Sequence, residues 1–223
     1  MTDVVIIGAG GAAREASWVL REDNGLVKKW NLLGFIDENP ALQGLLFCEV
    51  PVLGDFYWLE RNSRKNFQVL CAVGNPQVRK HLVQKVAKLG LSFSTVIHPT
   101  AQVSEWVEIG PGSLICAGTI LTTHVKIGAH SIVNIACTVS HDTVIGAYCN
   151  INPGCHIAGA VQVGDGVDLG IGASVIQNKN IGEWSVIGAG AVVTTDIPSN
   201  VTAVGVPCRV IKMHEPEPSL AIE

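Results

Sequence analysis

Residues 97 to 193 carry one aliphatic residue at every sixth position. The series begins at Ile97 and Val103 and continues without a break to Val193. A residue class that recurs at a fixed period indicates a repeat architecture. A period of six does not follow the stripe of an α-helix, which recurs every 3.6 residues. The members between these ends are Ile109, Ile115, Leu121, Ile127, Val133, Val139, Ile145, Ile151, Ile157, Val163, Leu169, Val175, Ile181 and Ile187.

The repeat predicts a parallel β-helix of triangular section. Three six-residue units, each a short strand and a turn, would close one coil of eighteen residues. We expect the aliphatic residues to point inward and glycine or another small residue to take the turns, where φ can be positive. The alternative is a β-sandwich with chance regularity, which the length of the series disfavours. Glycine follows the aliphatic residue at Gly110, Gly128, Gly146, Gly164 and Gly182, and a small residue usually stands four positions after it.

The first 93 residues lack the repeat and predict a Rossmann-like α/β domain with a short parallel sheet. Strands are predicted at 4–7, 32–36, 51–54 and 69–73, and helices at 12–20 and 76–89. The loop from Gly8 to Gly11 opens a helix, and such a loop exposes backbone N–H groups to a phosphate. Both readings stay open at this point, a nucleotide site and a purely structural turn. The residues that would line such a site are Gly10, Gly11, Asp37, Gly74 and Asn75, at the predicted carboxyl ends of strands.

The chain therefore divides into three parts. Residues 1–93 form the α/β domain, 94–196 the β-helix, and 197–223 a C-terminal segment. The repeat dissolves after Val193, and the C-terminal segment ends in a tail that we expect to be disordered.

Charge and composition narrow the functional classes. A net charge of −4 and the absence of Lys/Arg blocks give no reason to expect nucleic acid or a membrane surface as partner. No apolar stretch reaches about eighteen residues, and we expect a cytoplasmic, soluble protein. Seven cysteines without a Cys-x-x-Cys pair are expected to be reduced and structural.

The most informative polar pair of the repeat is His141-Asp142, because it falls in a turn and not in an inward slot. An exposed histidine can accept a proton near neutral pH, and a neighbouring carboxylate can orient its ring. A solvated surface histidine is the alternative. Stacking by eighteen residues would place His141 beside Thr123 and Gly159, so no metal site is predicted.

With these motifs in place, the chain resembles the left-handed β-helix acyltransferases. It is similar to the bacterial nucleotide-aminosugar N-acetyltransferases and sialic-acid O-acetyltransferases over nearly its whole length. The segments that carry the resemblance are 6–11 (IIGAGG), 34–37 (GFID), 72–75 (AVGN), 140–142 (SHD), 145–146 (IG), 186–193 (VIGAGAVV) and 204–207 (VGVP).

The resemblance implies direct transfer of an acetyl group from acetyl-CoA to a sugar amine. His141 would be the general base and Asp142 its orienting group, with residues 1–93 holding the nucleotide of the acceptor and Asn134 its reactive group. CoA would lie between the prisms of a homotrimer. The remaining cofactor contacts implied are Gly159, Gly172, Ala173, Gly190 and Pro207. Asn150 stands where some relatives carry a second histidine that contacts the acetyl carbonyl, and it joins this cofactor-binding set.

Other functions stay open from the sequence. The same fold could acetylate a hydroxyl of sialic acid or another free sugar. The remaining alternatives are a non-catalytic scaffold and an NAD-dependent oxidoreductase. The His141-Asp142 pair disfavours the scaffold. The absence of a second catalytic domain for hydride transfer disfavours the oxidoreductase.

Overall fold

The computed structural model describes residues 1–25 and 28–215. Its N-terminal part is an α/β domain. In chain order the elements are β1 (Thr2–Ile7), α1 (Gly11–Asp23), β2 (Trp30–Ile36), a 3₁₀ turn (Pro40–Leu42), β3 (Leu46–Phe47), β4 (Val50–Gly54), α2 (Phe56–Asn62), β5 (Gln68–Cys71) and α3 (Pro76–Lys88).

The five strands form one sheet in the order β3-β4-β2-β1-β5. All pairs are parallel except β3 with β4, which form a small hairpin. Strand β1 lies between β2 and β5, and its run Val4–Ile7 is apolar on both faces and buried. The predicted strands and helices are confirmed, whereas α2 and β3 were not predicted. Strand β2 lies on one side of β1 and β5 on the other, so the order in which strands are added to the sheet reverses at β1. Ligands bind at such a switch point in open α/β sheets.

The rest of the described chain winds into a triangular prism. Strands β6 to β22 have two residues each and follow one another at six-residue intervals, and the longer strands β23 and β24 come after them. The first face holds β6 (Val96–Ile97), β9 (Leu114–Ile115), β12 (Ile132–Val133), β15 (Asn150–Ile151), β18 (Asp168–Leu169), β21 (Val186–Ile187), β23 (Val201–Val204) and β24 (Arg209–Met213). The second holds β7 (Gln102–Val103), β10 (Ile120–Leu121), β13 (Thr138–Val139), β16 (His156–Ile157), β19 (Ser174–Val175) and β22 (Val192–Val193). The third holds β8 (Glu108–Ile109), β11 (Lys126–Ile127), β14 (Val144–Ile145), β17 (Gln162–Val163) and β20 (Asn180–Ile181).

Residues eighteen apart pair in parallel register, so the predicted β-helix is confirmed. Val133, for example, stands between Ile115 and Ile151 on the first face. The aliphatic series fills the interior in a single core, as predicted. The small residue four positions later closes the turn: Ser131 Oγ donates to Gly146 O at 2.8 Å and Ser113 Oγ to Gly128 O at 3.0 Å.

The glycines that follow the aliphatic residues have a different role from the predicted one. None of Gly110, Gly128, Gly146, Gly164 and Gly182 has positive φ. They are small because the next coil passes very close: a Cβ on Gly110 would lie 2.5 Å from Ala129 N, and one on Gly164 would lie 2.6 Å from Glu183 N. The left-handed turn position comes two residues later. It holds glycine at some corners and larger residues at others, such as His130, Tyr148 and Trp184.

The prediction that the repeat dissolves after Val193 is wrong for the described residues. Ile197 bridges Ile181 in parallel, and β23 pairs in parallel with β21. These residues are sixteen positions beyond their partners instead of eighteen, so a turn shortened by two residues hides the continuation from a six-residue count. Strand β24 then returns antiparallel to β23. The tail predicted to be disordered lies mostly in residues 216–223, outside the described residues.

The N-terminal domain covers the first face of the prism. Helix α1 residues Ala13 and Ala16 share a core cluster with Val96, Leu114 and Ile132, whose side chains lie on the outside of that face. The ring of Trp18 on α1 also lies 4.8 Å from that of His98. The second and third faces keep polar residues outside, as at His156 and Lys126. The edges of these faces are therefore the accessible part of the prism.

Candidate active site

His141 and Asp142 lie on the edge between the second and third faces, in the turn between β13 and β14. His141 Nδ1 donates to Asp142 Oδ2 at 2.9 Å, and the two side chains are 64% and 60% exposed. Because a carboxylate only accepts, this bond places the proton of the neutral ring on Nδ1 and leaves the Nε2 lone pair free. Asp142 has φ +58°, a conformation that aspartate tolerates and that turns its carboxylate toward the preceding ring.

The neighbouring coils fix this turn from both sides. Ala160 N donates to His141 O at 2.8 Å, and Asp142 N donates to Thr123 O at 3.1 Å. The imidazole lies over Gly159, one coil further along, where a Cβ would meet Cε1 at 2.5 Å and Nε2 at 2.6 Å. The structure thus brings together three predicted residues, His141, Asp142 and Gly159, with a free ring nitrogen facing outward.

Most predicted cofactor contacts lie on a different edge, between the first and second faces. Gly172 and Gly190 stack eighteen residues apart with φ +69° and +67°, and no atom of the described residues lies within 4 Å of a Cβ on either. Pro207 belongs to the turn between β23 and β24, which is tied to β22 through Val192 N to Gly205 O and Cys208 N to Val192 O. Ala173 is fully buried with its methyl group in the core, which leaves Gly172 as the exposed member of that pair.

Asn134 lies on this same edge between the first and second faces, two coils before Gly172. Its Oδ1 accepts a hydrogen bond from Ile135 N at 2.8 Å. The structure therefore groups this predicted acceptor contact with the predicted cofactor contacts. Within one chain it does not lie beside His141.

The predicted nucleotide residues meet at the carboxyl edge of the N-terminal sheet. Gly10, Gly11 and Gly74 follow the adjacent strands β1 and β5, and within residues 1–25 and 28–215 no atom lies within 4 Å of a Cβ on any of them. Gly10 precedes α1 without a side-chain cap, so the first N–H groups of the helix face this open space. The arrangement can accept a phosphate group.

The side-chain oxygens of two polar residues at this edge already accept hydrogen bonds from backbone N–H groups. Asp37 Oδ2 accepts from Ala9 N at 2.9 Å, and its Oδ1 accepts from Asn39 N at 2.9 Å. Asn75 Oδ1 caps α3 by accepting from Gln77 N and Val78 N, both at 3.0 Å. Asp37 thus fixes the glycine-rich loop, and the amide nitrogen of Asn75 is the group left to face a ligand.

Known proteins share this two-part architecture. The family described as PglD N-terminal domain matches residues 3–86. A variant of perosamine N-acetyltransferase from Caulobacter crescentus, in complex with CoA and GDP-perosamine, is 33% identical with a TM-score of 0.88, covering 95% of this chain and 97% of that one. The acetyltransferase domain of PglB from Neisseria gonorrhoeae, in complex with acetyl coenzyme A, is 32% identical with a TM-score of 0.84, covering 94% and 98%. WeeI from Acinetobacter baumannii is 32% identical with a TM-score of 0.86, covering 95% and 100%.

Comparison with curated protein sequences finds no match. The solved structures decide the family. The chain belongs to the bacterial sugar N-acetyltransferases of the left-handed β-helix class.

In this N-acetyltransferase, Asn150 lies apart from both edges. It is on the first face in β15, only 7% exposed, and its Nδ2 donates to Gly74 O in the N-terminal domain. Its Oδ1 is buried and has no hydrogen-bond partner among the described residues. Within one chain, therefore, Asn150 joins the two domains.

Sequence reasoning missed one buried charge of this N-acetyltransferase. Arg79 is fully buried, on the stripe of α3 that also buries Pro76, Val83 and Val86. A long cation at an apolar position of an amphipathic helix was the available signal, since arginine is rarely buried without a partner group.

Beside Asn75 a cleft of about 180 Å³ lies between the start of α3 and the C-terminal coils of the prism. Asp168, Trp184 and Asn200 line it. Burial raises the pKa of the Asp168 carboxyl, although the hydrogen bond from Asn152 Nδ2, at 2.6 Å, opposes the shift.

The seven cysteines are free, and six of them are buried. Burial raises the pKa of Cys71, Cys116 and Cys149 to about 12, which keeps these thiols protonated and unreactive. Within residues 1–25 and 28–215, no three His, Cys, Asp or Glu side chains form a group that could hold a metal ion. In the described part of the chain, no helix has the length and apolar character needed to cross a membrane.

Proposed function

We propose that this protein transfers the acetyl group of acetyl-CoA to the amino group of a nucleotide-linked aminosugar, with His141 as general base. The observation that carries the proposal is the His141–Asp142 pair. Its Nδ1–H is held by a carboxylate at 2.9 Å, and its Nε2 is free on an exposed edge. A base must have an unprotonated atom that can reach the acceptor, and Nε2 meets that condition.

The proposed reaction proceeds by direct attack. The sugar amine attacks the thioester carbonyl carbon, and Nε2 of His141 takes the proton that the nitrogen loses. The C–S bond then breaks, and the proton passes from His141 to the departing thiolate of CoA. The carboxylate of Asp142 stabilises the imidazolium that forms in between. The peptide N–H of Gly159 is proposed as donor to the oxygen that becomes negative in the tetrahedral transition state.

The site is proposed to form between copies of the chain. His141 and Gly159 lie on one edge of the prism, whereas Gly172, Gly190 and Pro207 lie on another. A single acetyl-CoA would reach both sets only if the edge of one prism lies beside the other edge of a second. A closed ring of three satisfies this for every copy, since each prism has one edge of each kind, and we therefore propose a homotrimer.

The donor and acceptor classes are supported by the similar proteins. The Caulobacter protein was crystallised with CoA and GDP-perosamine, and the Neisseria domain with acetyl coenzyme A. In this chain, the open glycines Gly10, Gly11 and Gly74 are proposed to receive the phosphates of the acceptor's nucleotide. We further propose that the reaction takes place in the cytoplasm, in surface glycan synthesis, since seven free cysteines are typical of a reducing compartment.

The test measures thiol release from acetyl-CoA with a panel of UDP-, GDP- and dTDP-linked 3-amino and 4-amino sugars and with free sialic acid. Turnover of one nucleotide-linked aminosugar is expected, lost by at least about a hundredfold in His141→Ala. His81→Gln, an exposed histidine on α3, is the matched control and should behave as wild type. Turnover of sialic acid alone would replace the proposal by O-acetylation, and equal turnover in wild type and His141→Ala would exclude His141 as the base.

A further inference from the structure

Arg79 is a buried cation whose hydrogen-bond partners among the described residues are all backbone carbonyl oxygens. Its three guanidinium nitrogens donate to the N-terminal domain and to the prism together. In the N-terminal domain, Nη1 donates to Val73 O at 2.6 Å and more weakly to Gly74 O at 3.4 Å. In the prism, Nε donates to His130 O at 2.9 Å, and Nη2 donates to Tyr148 O at 2.7 Å and Cys149 O at 3.1 Å.

The prism offers these carbonyls because of its left-handed turns. His130 and Tyr148 occupy the same corner of successive coils, with φ +57° and +60°. Their N–H groups make the coil-to-coil bonds, to Pro111 O at 2.9 Å and Ala129 O at 2.8 Å. Their carbonyls are taken by Arg79 instead. One guanidinium thus spans two coils at the corner between the third and first faces.

The charge of Arg79 persists despite its burial. Burial lowers its pKa to about 10, so the side chain remains protonated at neutral pH. Five carbonyl dipoles replace the water that the cation loses, and no carboxylate forms an ion pair with it among the described residues. Lysine could not reproduce this contact, because its ammonium group is a point charge without the planar fork of a guanidinium.

Arg79 holds the loop 73–75, which lies at the open carboxyl edge of the N-terminal sheet, where the acceptor is proposed to bind. The carbonyls of Val73 and Gly74 accept from Arg79, while no atom in the described part of the chain lies within 4 Å of a Cβ on Gly74. Asn150 Nδ2 donates to the same Gly74 oxygen from β15. The loop therefore accepts hydrogen bonds from two side chains, Arg79 on α3 and Asn150 in the prism.

We propose that Arg79 is a positioning residue that sets the acceptor-binding loop 73–75 relative to the prism. The inference rests on the proposed function, because it assumes that this loop lines the site of the nucleotide-linked aminosugar. It gives Arg79 no contact with the reacting atoms. The residue acts through the loop, so its loss alters the affinity for the acceptor and leaves the affinity for acetyl-CoA unchanged.

The experiment compares Arg79→Lys and Arg79→Met with wild type and with Arg61→Lys, a control on the exposed arginine whose guanidinium lies over the Tyr57 ring. Folding is checked first by circular dichroism. For Arg79→Lys we expect the KM for the aminosugar to rise at least tenfold, with the KM for acetyl-CoA within about twofold of wild type. Arg79→Met should show the same split or a larger one. An unchanged acceptor KM in a folded Arg79→Lys overturns the proposal, as does an equal rise in both KM values.

Hydrogen exchange of the protein without substrates separates this inference from the proposed function. Amides of residues 72–79 should exchange at least tenfold faster in Arg79→Lys, whereas those of β1 and β2 should not change. If wild type acetylates no aminosugar, the proposed function fails, and the exchange experiment still tests whether Arg79 fixes the loop. Unchanged exchange at 72–79 would show that it does not.

Discussion

The ring of His141 rests on Gly159, the residue eighteen positions later. A Cβ on Gly159 would lie 2.5 Å from Cε1 and 2.6 Å from Nε2 of that ring, closer than atoms can approach. The φ angle of Gly159 is not positive, so an alanine there would not strain the backbone. The added methyl group would therefore first displace the imidazole.

Gly159→Ala should lower kcat at least tenfold, because the added methyl group displaces Nε2 from its place at the surface. The melting temperature and the KM for acetyl-CoA should change little. Steady-state kinetics at saturating acceptor, together with thermal unfolding, provide the measurement.

The control is a double-mutant cycle with His141→Ala. With the imidazole absent, Gly159→Ala should cause no further loss of kcat, since the two residues act through one contact. Additive losses would instead assign Gly159 a role of its own, such as the proposed peptide donor to the oxyanion.

Asp142→Asn should lower kcat about tenfold or more and leave both KM values near wild type. Asparagine tolerates the left-handed conformation of this position, so the turn is preserved while the charge that stabilises the imidazolium is lost. Asp142→Ala, which also loses the contact to Nδ1, should be at least as slow. Wild-type kcat in Asp142→Asn would mean that the carboxylate only orients the ring.

Asn150→Ser distinguishes two roles for that residue. If Asn150 anchors Gly74, as its hydrogen bond indicates, the KM for the acceptor should rise severalfold and the KM for acetyl-CoA should stay the same. If it contacts the cofactor of a neighbouring copy, as the family resemblance implies, the KM for acetyl-CoA or kcat should change instead. Initial-rate kinetics with each substrate varied in turn separate the two.

His130→Phe should make the protein more resistant to acid. Burial, with a contribution from nearby Arg79, lowers the pKa of His130 from 6.5 to about 4, so the folded state favours the neutral ring. That preference contributes fully to the free energy of unfolding above pH 6.5 and is lost as the pH falls from 6.5 to 4, at a cost on the order of 3 kcal/mol. Phenylalanine keeps the stacking on Tyr148 and the edge contact with Phe93 without a group to protonate.

Urea denaturation at pH 7.5 and pH 4.5 measures this difference. The loss of unfolding free energy between the two pH values should be smaller in His130→Phe than in wild type. His124→Gln, at an exposed histidine, should show the wild-type loss. Equal losses in all three proteins would contradict the assignment.

At pH values above the range in which carboxyl groups ordinarily titrate, Asp168→Asn should have a higher melting temperature than wild type. Because burial raises the pKa of Asp168, the folded state favours the protonated form, and wild type loses stability as the pH rises through that pKa. An amide oxygen can still accept from Asn152 Nδ2 without carrying a charge. Below the unfolded pKa of the carboxyl the two proteins should melt alike, and thermal scans from pH 3.5 to 8 would show the divergence.

The repeat could be predicted because each aliphatic position carries the same signal. Val133 and Ile151 face the core for the same reason as every other member, and a fixed period adds these weak preferences together. The role of Gly110 could not be predicted from local conformation, since its cause is the backbone of Ala129 on the next coil. The continuation through Ile197 was missed because two residues are absent from one turn.

In the candidate site, too, some contacts could be predicted from the sequence and others could not. His141 and Asp142 are neighbours in the chain, so their contact was predictable, and eighteen-residue stacking identified Gly159. Arg79 was missed because its partners in the prism are carbonyls 51 to 70 residues away, and a carbonyl has no residue type to recognise. Asn150 likewise meets Gly74 across 76 residues.

The shortened turn before Ile197 and the hairpin that follows it determine how the solenoid ends. A stack of parallel coils presents at its last coil an unpaired strand edge on which another coil, or another molecule, could continue the stack. Here the final strand on the first face, β24, runs antiparallel to β23. A further coil in the parallel register cannot be added to a strand of reversed direction. The hairpin therefore caps the first face against end-to-end growth, and its removal would expose a strand edge for aggregation while also removing Pro207, a proposed cofactor contact.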